Sequence, residues 1–317
     1  MDISVIIPLY NEEESLSVLF EWIQRVMNEN KLTYEVIFVD DGSFDGSWEI
    51  VEKLKTDFSN IVHGLKFRHN YGKSPALYCG FQLAKGDVVI TMDADLQDSP
   101  DEIPQLYAMI KNDGYDLVSG WKKKRLDSKL TKNLPSKLYN FVARKVTGLK
   151  LHDMNCGLKA YRNEVVKNVE IYGDMHRYIP YLAKNAGYTK IGEKVVEHRK
   201  REFGTTKFGM NRFVNGYLDL MTAWFLAKFG KKPMHLFGMI GSLMFAVGFI
   251  MAIIVGVNKL TALWFHVSAP LVTNSPYFYI GLTAMIMGTQ LFLTGFVAEI
   301  ITRNSSERNK YRIEKKI

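Results

Sequence analysis

Two long uncharged runs near the carboxyl terminus limit what this chain can become. From Met234 to Val257 there are 24 residues without a formal charge, and a second uncharged run extends from Tyr277 to Ala298. At 1.5 Å rise per residue the first makes a helix of roughly 36 Å, enough to cross a hydrocarbon core of ~30 Å with some tilt. An apolar helix buried in a soluble core rarely exceeds about 14 residues, so two membrane spans are expected within residues 233–302. The residues before them mix charged and apolar groups as a globular enzyme does, so a soluble part and a membrane part are treated separately.

Charge orients the two parts. The connection Asn258 to Pro276 carries one basic residue, Lys259, whereas the tail 303–317 carries Arg303, Arg308, Lys310, Arg312, Lys315 and Lys316. The positive-inside rule puts that tail in the cytoplasm, and two spans return the chain to the side of its amino-terminal domain. Met1 and Asp2 lead into a strand-like run with no basic or apolar leader, so no cleaved signal is expected. Between Lys122 and Lys150 ten Lys or Arg accompany one acid, Asp127, and more basic residues lie from Arg199 to Arg212 and at Lys228, Lys231 and Lys232. Beside membrane spans such charge suits anionic lipid headgroups, and without any nucleic-acid-binding signature no nucleic-acid partner is expected. Within residues 209–232, Phe213, Tyr217, Leu220, Met221, Trp224 and Phe225 recur at helical spacing, which fits an amphipathic helix in the interface or a core helix of the soluble part. Cys79 and Cys156 have neither metal nor disulfide-framework spacing and suit small core residues in a reducing compartment.

Residues 1–208 alternate strand and helix. Strands are expected at Ile3–Pro8, Val36–Asp40, Val62–Phe67, Val88–Met92 and Asp116–Ser119. Helices are expected over Leu16 to Met27, Ser47 to Phe58, Pro75 to Ala84, and from Pro100. This is an α/β pattern with a mostly parallel sheet covered on both faces, whose ligands collect at the carboxyl ends of the strands. Three of those ends carry polar clusters: Pro8 to Glu12, Asp40 to Ser43, and Asp93 to Gln97. A lone carboxylate there usually makes a turn or cap, but three clusters on one edge point to a ligand. Asp93 and Asp95 project to the same side of an extended chain, with Gln97 near, and such hard oxygen donors suit Mg²⁺ or Mn²⁺ shared with a diphosphate. Without a GxGxxG or a P-loop, dinucleotide oxidoreductases and Walker-type ATPases lose their main support.

The ordered set PLYNE, VDDGSFDGS, RHNYGK, GDVVITMDADLQDSPDEIP and NCGLKAYR resembles the family 2 glycosyltransferases of GT-A fold, over roughly residues 3 to 210. The branch resembled contains dolichyl-phosphate mannose synthase and the bacterial polyprenyl-phosphate glucosyltransferases. The resemblance implies a nucleoside pocket lined by Pro8, Tyr10 and Glu12, a contact to the base from Asp40 or Asp41, and Lys73 near the nucleotide. It implies that Asp93, Asp95 and Gln97 hold a metal on the donor diphosphate. For the acceptor phosphate it implies Lys122, Arg125, Ser136, Lys159, Arg199, Arg201 and Lys207, with His198 to Phe208 closing over the phosphates. Lys122 and Lys159 stand where the family commonly has arginine, and lysine holds phosphate as a point charge, not as a bidentate fork. Asp153 is either a base or positioning carboxylate, or a cap.

An alcohol acceptor would need a general base, but a phosphate monoester, with a second pKa of ~6, already carries its nucleophilic charge at neutral pH. The enzyme's main task is then to bring two anions together, which suits a metal surrounded by Lys and Arg. The implied activity is inverting transfer of a sugar, with UDP favoured as carrier, to polyprenyl phosphate at the cytoplasmic face of a bacterial-type inner membrane, for cell-envelope glycosylation. A lipid-linked sugar or polysaccharide acceptor, and an inactive nucleotide-sugar-binding anchor, are the alternatives. The sugar and homo-oligomerisation are left open.

Overall fold

The first two strands, Ile3–Leu9 and Tyr34–Asp40, are buried along almost their whole length, and this fixes the layering. The computed structural model describes residues 1–123, 143–144, 147–171, 175–199, 221–222, 224–225, 228–229, 232–268 and 270–303. It divides into two units, Met1–Trp224 and Phe225–Ile317. In the first, β1 (Ile3–Leu9) lies between β2 (Tyr34–Asp40) and β4 (Val88–Thr91), with β3 (Val62–Lys66) beyond β2, all four parallel. Val5 and Ile7 pack with one core cluster and Ile6 with the other, the period of two that a sheet covered on both faces requires. Helix α1 (Glu13–Glu29) buries Leu16, Leu19, Phe20, Ile23, Val26 and Met27 against the Val5 face, each side chain contributing about 1.5–3 kcal/mol. Helix α3 (Lys73–Leu83) places Ala76, Leu77 and Phe81 on the Ile6 face. Helices α2 (Ser47–Asp57) and α4 (Ile103–Lys111) complete the expected alternation, the latter entered through a 3-10 turn at Pro100–Glu102.

Beyond β4 the sheet departs from the expected pattern. The order is β3-β2-β1-β4-β6-β5-β7, where β5 is Leu117–Trp121, β6 is Lys159–Arg162 and β7 is Ile191–Val195. β6 runs antiparallel to both neighbours, with Lys159 opposite Thr91 on one side and Ser119 on the other. Short helices α5 (Asn163–Asn168) and α6 (Ile179–Asn185) follow β6.

In the second unit, α7 (Met234–Trp264) and α8 (Pro276–Arg303) form a hairpin, and both helices are long and apolar enough to cross a membrane. Helix α7 outruns the uncharged segment, continuing through Asn258 and Lys259, whose long stem can carry its charge towards water. Glycines seven residues apart face one another: a Cβ on Gly248 would lie 2.4 Å from the Gly281 carbonyl oxygen, and one on Gly241 2.6 Å from that of Gly288. Small residues let two backbones pack directly where no hydrophobic effect drives association. Glu299 lies at the end of the hairpin, accepting the Met234 N–H at 3.4 Å. Apart from a few positions, residues 208–229 lie outside the described residues, as do 304–317.

Candidate active site

Reversal of β6 brings four chain positions to one edge of the sheet. Asp93 follows the end of β4, Lys122 follows the end of β5, Lys159 begins β6, and Lys73 begins α3. The Lys73 ammonium pairs directly with Asp93 Oδ1. Lys73 is positioned by Asp41, whose Oδ1 accepts the Tyr71 N–H at 2.7 Å and whose Oδ2 accepts the Gly72 N–H at 2.9 Å. Gly42, with φ of 77°, lets this turn lie against the same loop: a Cβ there would be 2.6 Å from the His69 carbonyl carbon. Burial raises the Asp41 carboxyl above its usual range despite the two hydrogen bonds that favour its charge. Asp40, fully buried, accepts the Ser43 N–H at 2.8 Å and lies 3.8 Å from Lys66.

The ends of β1 and β2 are stitched together. Asn11, with φ of 52°, donates its N–H to Ser43 Oγ at 2.8 Å and accepts the Phe44 N–H at 3.0 Å on its side-chain oxygen. The Glu12 N–H donates to Ser47 Oγ at 2.9 Å. Behind Pro8, Tyr10 meets Phe44 edge-on at 6.0 Å, and Phe44 is 82% exposed, an aromatic rim that sequence patterning did not single out.

Burial alone would raise the Asp93 carboxyl, but the charges of Lys73, Lys122 and Lys159 outweigh it and hold the group at about 2. It is therefore ionised throughout the physiological range. Asp95 Oδ1 accepts the Gln97 N–H at 3.2 Å, bending the chain past the strand end, where Leu96 takes a φ of 57°. Lys122 meets the fully buried Asp98 at 2.7 Å; burial opposes its charge, yet Asp98 and Asp93 push its pKa upward. The Lys159 ammonium bonds the Cys156 carbonyl, and burial lowers its pKa. Cys156 is an inert core thiol, pushed by burial up to about 12.

A cavity of about 90 Å³ opens here, lined by Lys73, Asp93, Gly157, Lys159, His176 and Arg177 among others. His176 Nδ1 lies 3.1 Å from Ser74 Oγ. Burial first, then the charges of Lys73, Arg177 and Lys159, drives its pKa well below the ordinary value, so it is neutral at pH 7. His176, Arg177, Asp98 and Gly157 are absent from the sequence-derived site. Asp98 shares the run of Asp93 and Asp95 and Gly157 shares NCGLK, but no spacing rule ties the HisArg pair to either.

The remaining candidates divide. Asp153 is buried, and its Oδ1 accepts the Asn155 N–H at 3.0 Å, the local turn that the cap role describes. Arg199 bonds the Gln97 carbonyl through its backbone N–H at 3.0 Å, while its guanidinium lies 4.3 Å from the Trp22 ring centroid, outside the Asp93 group. Arg125, Ser136, Arg201 and Lys207 lie outside the described residues. Among the described residues no group of three or more His, Cys, Asp or Glu is arranged to hold a metal unaided. A Mg²⁺-type ion needs only one or two carboxylates when substrate phosphates complete its shell, so the donors Asp93, Asp95 and Gln97 fit such an ion bound together with a diphosphate.

A largely parallel α/β sheet with acidic strand ends and a cationic far wall defines a GT-A-type domain. Residues 4–170 match the family model described as glycosyl transferase family 2, and the chain belongs to that family of glycosyltransferases. Dodecaprenyl-phosphate galacturonate synthase of Rhizobium johnstonii is 31% identical over 304 residues, covering 96% of this chain and 88% of the relative. Undecaprenyl-phosphate 4-deoxy-4-formamido-L-arabinose transferase of Pectobacterium carotovorum is 34% identical over 319 residues, covering 100% and 94%. The crystal structure of glucosyl-3-phosphoglycerate synthase from Mycobacterium tuberculosis with Mn²⁺, UDP-glucose and phosphoglyceric acid superposes with a TM-score of 0.52 at 20% identity, covering 71% of this chain and 79% of that one. Mannosyl-3-phosphoglycerate synthase from Rubrobacter xylanophilus gives 0.53 at 14%, covering 71% and 73%. At these identities the two structures share the fold.

Proposed function

We propose that this chain transfers a sugar from a nucleotide-sugar, with UDP as the carrier, to polyprenyl phosphate at the cytoplasmic face of a bacterial inner membrane, using Mg²⁺ or Mn²⁺. The observation that carries this reading is the Asp93 carboxylate, ionised and surrounded by Lys73, Lys122 and Lys159 at the sheet edge. The two relatives named for polyprenyl-phosphate products support the acceptor, and the Mn²⁺ and UDP-glucose complex of a fold neighbour supports the metal and the carrier. Two helices long and apolar enough to cross a membrane suit an acceptor that cannot leave the bilayer cheaply.

In this mechanism Pro8, Tyr10, Glu12, Asp40 and Asp41 form the nucleoside side. Asp93, Asp95 and Gln97 would hold the divalent ion, which when bound neutralises charge developing on the leaving diphosphate. Lys73 keeps Asp93 in place. Lys122, with Arg125, Ser136, Arg201 and Lys207, receives the acceptor phosphate, whose own charge makes it the nucleophile, and Asp153 shapes the turn before β6. Residues 1–208 form the catalytic domain, 209–232 lie in the membrane interface, 233–302 span the bilayer twice, and 303–317 lie with both termini in the cytoplasm.

The test is transfer of labelled sugar from a nucleotide-sugar panel to polyprenyl phosphate by the full chain in vesicles. EDTA should abolish transfer, Mg²⁺ or Mn²⁺ should restore it, and Asp95→Ala should lower it by about 10²–10³-fold or more. Transfer to a glycan but never to the lipid would replace the acceptor assignment, and absence of nucleotide-sugar binding would end the enzymatic one.

A further inference from the structure

The cavity behind Asp93 holds more positive charge than the described residues neutralise. Its wall carries Lys73, Lys159 and Arg177 against one acid, Asp93, which Lys73 already occupies. Lys159 is 4% and Arg177 8% exposed, and among the described residues neither has a carboxylate within ion-pair distance. Lys159 has a backbone carbonyl as partner, and Arg177 has no hydrogen bond with a described residue. A buried guanidinium without an anion is costly, and its five planar donors match a carboxylate or phosphate fork.

His176 adds a neutral donor to the same wall. Ser74 Oγ accepts the His176 backbone N–H at 3.0 Å and also lies 3.1 Å from its Nδ1, so one residue fixes both the backbone and the ring. The cavity thus combines two cations that have no carboxylate partner among the described residues with a neutral imidazole, in about 90 Å³, room for one small oxyanion.

We propose that this cavity receives a carboxylate on the donor sugar, so that the chain selects a nucleotide-linked uronic acid over the neutral hexose. The proposal rests on the nucleotide-sugar transferase reading above and moves Lys159 from the acceptor phosphate to the sugar. Its position beside Asp93 and Lys73, the donor side of the edge, favours the sugar over the acceptor. With the diphosphate held at Asp93 by the metal, a neutral hexose would bring no carboxylate to Lys159 and Arg177, and sites built for a polar group discriminate strongly against analogues lacking it.

The experiment measures binding of UDP-glucuronate, UDP-galacturonate, UDP-glucose and UDP-galactose to the full chain without acceptor, then kcat/KM for transfer. One uronate should bind and react at least about 10²-fold better than its neutral counterpart. Arg177→Met should bring that ratio close to one while leaving the KM for polyprenyl phosphate as in the wild type, and Arg177→Lys should retain part of the preference. Equal use of neutral and acidic donors by the wild type overturns the proposal even where a variant fails to fold. So does an Arg177→Met effect that falls on the KM for polyprenyl phosphate or equally on all donors. Selective uronate binding without transfer to polyprenyl phosphate would leave the subsite standing and remove the acceptor assignment instead.

Discussion

Replacing Gly157 by alanine should disable the site without unfolding the domain. A Cβ on Gly157 would fall 2.4 Å from Asp93 Oδ2, 2.6 Å from Cγ and 2.9 Å from Oδ1, all under the 3.4 Å at which ordinary contact begins. Gly157 is not among the positive-φ glycines, so alanine meets no backbone strain there. The carboxylate therefore has to swing away by about 1 Å, and it must do so against its pairing with Lys73. A displacement of that size at a reacting centre reduces rate by about 10²-fold, about 2.7 kcal/mol in transition-state free energy. Stability should change by less than about 1 kcal/mol, because the group that moves is the end of a short side chain. Initial rates of labelled sugar transfer, metal titrations and thermal unfolding in detergent measure the three effects, with Gly256→Ala, which meets nothing within 4 Å, as the control. Wild-type kcat/KM and metal affinity in Gly157→Ala would refute the placement of Asp93 in the reaction.

Three further outcomes follow from named contacts. Lys122→Met leaves the fully buried Asp98 without its 2.7 Å partner and should destabilise the domain by about 3–5 kcal/mol, most of it recovered in Lys122→Met with Asp98→Asn, as read by chemical denaturation. Gly248→Leu forces α7 away from the Gly281 carbonyl and should lower the unfolding free energy of the purified chain by about 1–3 kcal/mol, whereas Gly256→Leu should not. His176 is held neutral below its ordinary pKa, while in the unfolded chain it takes up a proton below about pH 6.5. Its contribution therefore falls as pH drops through 6.5, by up to about 1.4 kcal/mol per pH unit, and His176→Gln should flatten the unfolding midpoint between pH 7.5 and 5.5.

What could be read from residues alone depended on whether the signal was local. The strands at Ile3 and Val36 are continuous apolar runs, and Leu16 to Met27 repeat at the helical period, so these elements and their sheet were legible. β6 was not, because LysAlaTyrArg is short and charged at both ends and is held by pairing on both sides with β4 and β5. β7, IleGlyGluLysVal, is at most half-buried along its length and lacks a clear inward face. Lys73, Asp93 and Lys122 were found through motifs, and the structure joins them by ion pairs and charge. Arg177 is marked only by being buried with no acid partner among the described residues, a tertiary property that no spacing expresses. Asp41 adds a contact that its motif did not express: its carboxylate braces the turn that starts α3.

The antiparallel strand is the feature that brings Lys159 beside Asp93 at one edge. In a wholly parallel sheet every strand contributes its carboxyl end to that edge, and side chains there follow the strand into a loop whose conformation must be held separately. β6 contributes its amino end instead. Lys159, already in register with Thr91 and Ser119, is fixed by ladder hydrogen bonds and needs no loop to place it. The preceding segment supplies Gly157, whose missing side chain makes room for the Asp93 carboxylate, and its carbonyl accepts the Thr91 hydroxyl at 2.9 Å. Acid and base are thus brought together by sheet pairing, and the neighbouring lysines hold the half-buried Asp93 carboxylate in its charged form. A strand insertion that shifted β6 by one residue would turn Lys159 to the other face and remove Gly157 from Asp93 together. Activity should be lost in such a variant even if its secondary structure content, read by circular dichroism, were unchanged.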